Sequence, residues 1–148
     1  MNQIDPALNT PRRDARERAL TFLYEAESRG CPVAEVIDAL PLPPEQFTID
    51  IVTGVEENLP TIDELLNDYA HGWTVDRMAA LDRHILRIGV YELAHRPDVP
   101  RNVVLNEAVE LASQYSTEKS SKFVNGILSA AAEELRDQKT VPETKSSV

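Results

Sequence analysis

Four arginines, Arg12, Arg13, Arg16 and Arg18, fall within seven residues near the start of the chain, and Tyr24 follows shortly after. A guanidinium is permanently charged and presents a planar fork of N–H donors that fits two oxygens of a phosphate. An exposed tyrosine ring gives an unstacked base a platform, worth roughly 1–3 kcal/mol per base. Together they suit single-stranded nucleic acid, above all RNA, whose bases are splayed out to be read.

A helix must position these groups. Ala15, Ala19, Phe22, Leu23 and Ala26 recur at helical spacing as a buried stripe. With Ala15 set at zero, Arg13, Glu17, Leu20 and Tyr24 fall between about 140° and 200°, and Arg16 at about 100°, on the flank. Two readings of that outer face compete. In one, a second layer of helices covers it, Tyr24 is half-buried, and the arginines pair with Glu17 or with the acidic segment 31–70. In the other, guanidiniums and ring face outward.

The formal net charge is −10, yet residues 31–70 alone hold nine acids and no Lys or Arg. The rest is close to neutral, so total charge does not exclude a polyanionic partner. The acidic segment reads most simply as a solvated face. No apolar run approaches the roughly 18 residues of a membrane span, and the N-terminus lacks a signal-peptide pattern. The lone Cys31 cannot form an internal disulfide, which fits a cytoplasmic location.

Catalytic and metal signatures are weak. His71, His84 and His95 lack ligand spacing and read as surface or boundary histidines. Cys31 has no marked basic neighbour in sequence, and there is no Gly-rich phosphate loop. No enzymatic activity, cofactor or metal is expected.

Periodicity predicts an all-α chain. Helices are expected at about 12–29, stopped by Gly30, then 33–39, 44–58, and 61–70, begun by a Thr61/Glu64 capping box. A short turn over 74–78 precedes a helix at about 80–96, apolar on nearly every side and so central to a bundle. Helices at about 100–114 and 121–136 follow, separated by a polar "STEKSS" loop. Residues 1–10 and 137–148 read as flexible. Trp73 reads as an anchor between subdomains. Phe123 lies about 100° from the core centre of the last helix, either filling a helix junction or facing a ligand. Asn125, on the exposed side, can bond a base edge or water.

The segments "RRDARERALTFLYEAE", "DRHILRIGVYELAHRPDVPRNVVLNEAVELASQYS" and "KFVNGIL", in this order and spacing, resemble the bacterial NusB family of transcription antitermination factors. The resemblance implies a NusB-like bundle of about seven helices in two packed three-helix subdomains, about 11–72 and 73–136. It implies a non-catalytic protein that pairs with NusE, itself a small-subunit ribosomal protein, and binds the boxA element of nascent RNA. Loaded with other Nus factors on elongating RNA polymerase, the pair suppresses premature termination, notably in ribosomal RNA operons.

Arg12, Arg13, Arg16 and Tyr24 match the family's arginine-rich and tyrosine motif, and Lys122, Phe123 and Asn125 its "KFVNG" motif near the RNA surface. Asp82 matches an acidic position associated with NusE and RNA binding. Asp14 interrupts the basic cluster and residues 1–11 carry no Lys or Arg, which weakens the phosphate grip. Lys119 partly offsets this. The alternative is a helical protein–protein adaptor of the same fold with weak or lost RNA binding. A NusB-like domain serving an RNA methyltransferase ranks below it. The sequence leaves open whether the free chain is a monomer or a homodimer.

Overall fold

The computed structural model describes residues 4–137, with side chains over 11–136. Seven α-helices form two compact units, the first ending at Glu57 and the second beginning at Asn58. No strand occurs among the described residues, and no helix there is long and apolar enough to cross a membrane.

The first unit holds α1 (Ile4–Arg29), α2 (Val33–Asp38) and α3 (Gln46–Glu57). The helix begins at Ile4 rather than Arg12, with Pro11 inside it, at the loss of one backbone hydrogen bond. Of the segments read as flexible, 1–3 and 138–148 lie outside the described residues, whereas the backbone of 4–10 is helical. Gly30 ends α1 as expected. At φ 67° it adopts the left-handed conformation, and the bonds Cys31 N–H to Ala26 O (3.0 Å) and Gly30 N–H to Glu27 O (3.1 Å) form a Schellman closure. The anticipated α1 stripe is buried, together with Val33 and Val36 of α2 and Ile51, Val52 and Val55 of α3. Two polar contacts lock the unit. The Thr48 hydroxyl donates to Ala15 O at 3.0 Å, and Glu56 accepts the Val33 N–H at 2.9 Å.

The second unit comprises α4 (Leu59–Tyr69), a 3₁₀ turn (Val75–Arg77), α5 (Ala80–His95), α6 (Arg101–Tyr115), α7 (Glu118–Ala132) and a terminal π turn (Glu133–Asp137). The join expected near residue 72 thus lies at 57/58, because α4 packs with α5 and α7. The capping box at Thr61 does not form. Pro60 stands in the first turn of α4, so the helix starts at Leu59, behind an Asn58 that makes no side-chain cap bond. Gly72, at φ 93°, takes the left-handed turn after α4.

The central helix α5 is buried on most sides, as its sequence predicts; His84, expected near the surface, is buried as well. Its polar stripe serves as tethers. Arg87 makes a forked pair with Asp63 at 2.8 Å for both contacts, and Arg83 donates to the carbonyls of Val75 (3.2 Å) and Met78 (3.0 Å). Arg136 gathers the carbonyls of Glu92, Leu93, Arg96 and Val99 at 2.8–3.2 Å; Glu92 and Arg96 also accept backbone N–H groups, while Leu93 O is an acceptor that the helix end leaves open.

Gly89 permits the closest approach. A Cβ there would lie 2.6 Å from Leu128 Cδ1 and 3.0 Å from Cδ2, and Leu128 is itself fully buried. Gly89→Ala is therefore expected to destabilise the protein by about 1–3 kcal/mol through overpacking, read as a lower denaturant midpoint. An unchanged midpoint would show that α5 and α7 can separate at little cost.

Candidate nucleic-acid interface

The first unit carries the arginine helix. Tyr24 is 46% exposed, and Arg12 and Arg13 are exposed. The Arg12 guanidinium carbon sits 4.2 Å from the Phe47 ring centre and that of Arg16 sits 5.1 Å from it. Such cation–π contacts contribute about 0.5–1 kcal/mol when exposed and about 2 when desolvated. Arg18 pairs with Glu45 at 3.3 Å and approaches the Phe22 ring at 5.7 Å.

The outer face is therefore mixed, and two expectations need correction. Arg16, placed by helical geometry on the exposed flank, is only 3% exposed, and Leu20, opposite the core stripe, is also buried. Half of the covered-face reading is thus realised, while Tyr24 remains available. The sequence hides this arrangement because Phe47, the ring under both guanidiniums, lies on another helix.

The second unit builds a cleft of about 400 Å³ lined by Trp73, Arg77, Met78, Asp82, Lys119 and Phe123, among others. Trp73, expected as an anchor between subdomains, is instead 53% exposed at this cleft. The "STEKSS" stretch is not all loop: Thr117 caps α7 by accepting the Ser120 N–H at 3.0 Å, so the helix starts at Glu118. That cap turns the Ser120 hydroxyl inward, where it donates to Asp82 Oδ2 at 2.9 Å. The Ser116 and Thr117 hydroxyls lie 2.9 and 3.0 Å from the Ser120 oxygen.

Asp82 is buried, and its Oδ1 has no hydrogen-bond partner among the described residues. A buried carboxylate oxygen left open is costly unless a donor completes it. Beside it, Phe123 is half-buried and lines the cleft, while Lys122 and Asn125 are exposed on α7.

The predicted residues thus fall into two groups. Arg12, Arg13, Arg16 and Tyr24 belong to the first unit; Asp82, Lys122, Phe123 and Asn125 belong to the second. Sequence reasoning missed Phe47 and the cleft roles of Trp73, Arg77 and Ser120. The available signals were an aromatic after Gly72 and a Thr-x-x-Ser helix start. Among the described residues, no group of three or more His, Cys, Asp or Glu could hold a metal.

The NusB family model matches residues 13–133 of the chain. The chain is similar to transcription antitermination protein NusB of Thermobifida fusca, 52% identical over 126 residues that cover 82% of this chain and 89% of that relative. Its fold is similar to that of T. maritima NusB, with a TM-score of 0.77 and 33% identity, covering 87% of this chain and 96% of the other. It is also similar to a chain in the crystal structure of antitermination factors NusB and NusE in complex with dsRNA, with a TM-score of 0.69, 27% identity, and coverage of 84% and 98%.

Ser120→Ala would leave the second oxygen of Asp82 unpartnered too. The expected loss is about 1–3 kcal/mol, measured by denaturant unfolding. Stability equal to wild type would mean that water replaces the serine without penalty.

Proposed function

This chain belongs to the NusB family, and from that premise we propose that it is a non-catalytic transcription antitermination factor that binds boxA RNA together with NusE. It acts in the cytoplasm on the elongating RNA polymerase complex with other Nus factors, and prevents premature termination in ribosomal RNA operons. The observation that carries the RNA reading is the exposed Tyr24 ring on the same helix as exposed Arg12 and Arg13.

The division of labour follows from the side chains. Arg12, Arg13 and Lys122 supply phosphate attraction, which is independent of sequence. Tyr24 and Phe123 supply stacking, while Asn125 supplies base-edge contacts. Arg16 is too buried to grip a phosphate directly. Stacked over Phe47 beside Arg12, it holds the start of the arginine helix in place. NusE adds a second RNA-contacting surface, so the pair binds more tightly than either protein alone.

Titration of labelled boxA RNA, with and without NusE, tests this. Affinity is expected to rise on adding NusE and to fall with salt, with a slope near −0.7 per phosphate contact for single strands. Arg13→Ala should flatten that slope, and Tyr24→Ala should weaken binding by roughly 1–3 kcal/mol. A duplex of the same sequence serves as competitor. Absence of any gain from NusE contradicts the reading. RNA affinity that ignores both substitutions, with NusE binding intact, would identify a protein–protein adaptor instead.

A further inference from the structure

The start of α3 grips the basic stretch of α1. The Glu45 carboxylate, one residue before α3, reaches Arg18 at 3.3 Å. The Thr48 hydroxyl donates to the Ala15 carbonyl at 3.0 Å in a buried contact. Between these two, the Phe47 ring meets two guanidiniums, with the Arg12 carbon 4.2 Å and the Arg16 carbon 5.1 Å from its centre.

The two arginines stand one helical turn apart, so a single ring reaches both. Their surroundings differ. Arg16 is buried, whereas Arg12 is exposed. A ring attracts a cation through the negative charge on its face. A guanidinium stacked on such a face keeps its N–H donors, which lie in its own plane, for a phosphate. A long arginine side chain also loses rotamer freedom when it binds, and holding it in place beforehand lowers that cost.

We propose that Phe47 is a positioning residue for RNA binding: its ring, anchored by Arg16, holds the Arg12 fork in the pose that grips phosphate. The proposal rests on the RNA reading above. It gives control of the α1 grip to α3, a helix that carries none of the groups assigned to RNA there.

Titration of labelled boxA RNA into the full chain with NusE present tests it, with unfolding midpoints measured alongside. Phe47→Leu keeps an apolar side chain without a ring face and is expected to weaken binding about two- to tenfold. Phe47→pentafluorophenylalanine keeps the outline of the ring while reversing the charge of its face, and should lose about as much. It decides the matter if Phe47→Leu fails to fold. Phe47→Tyr keeps the face and should bind within about twofold of wild type. With Arg12→Ala in place, the further loss from either ring change should shrink below about twofold, because the ring acts through Arg12. A fluorinated chain that binds RNA like wild type overturns the proposal, since shape alone then suffices. A loss undiminished beside Arg12→Ala overturns it as well, by making the ring a packing element only. In both cases the RNA reading stands. A wild-type chain that does not bind boxA RNA removes that reading, and this role with it.

Discussion

The second unit depends on a contact with no spare room, Gly89 of α5 against the fully buried Leu128 of α7. Interiors pack at crystal-like density, so one methyl group at such a point forces the buried Leu128 side chain to move where little space is free. With α5 and α7 held at that separation, Asp82 in the first turn of one helix meets Ser120 in the first turn of the other. The cleft around Trp73 and Phe123 is shaped by that meeting. A steric constraint near the middle of two helices therefore sets a polar arrangement at their starts.

Charge is deployed locally rather than as a uniform field. Glu45 answers Arg18, Glu56 caps α2, and Asp63 clamps Arg87. These three carboxylates belong to the acidic segment, and each does structural work that a solvated face would not require. The partly buried Arg87–Asp63 fork is the strongest of the three by geometry, with two short bonds between planar groups. The exposed arginines of α1 lie close to rings as well as acids, and an aromatic face orients a guanidinium without neutralising it.

Much of the architecture was legible in the sequence. Helical spacing marked the α1 stripe and the all-round burial of α5, and Gly30 marked a stop that the structure realises through its positive φ. These signals are local, arising from residues a turn or two apart. The misread features had distant causes. Helix geometry put Arg16 and Leu20 away from the core stripe, yet neither is exposed, and the ring over which Arg16 stacks comes from α3. The motif at Thr61 was sound in form but was pre-empted by Pro60 one residue earlier. Serines read as a loop became a helix start because Thr117 could cap them. Of the candidate site, residue types were readable. The exposure of Trp73 and the open oxygen of Asp82 depend on packing that no single segment encodes.

The Arg136 guanidinium has a consequence for how the chain comes to be made. It closes four carbonyls at and beyond the end of α5, yet it lies some forty residues downstream. During translation, the Glu92 and Arg96 carbonyls have local backbone donors in Arg96 and Val99, whereas those of Leu93 and Val99 gain the guanidinium only once Arg136 has been synthesised. The central helix of the second unit is thus among the earlier parts of that unit to emerge and among the last to be sealed. Its completion is timed by elongation as well as by burial.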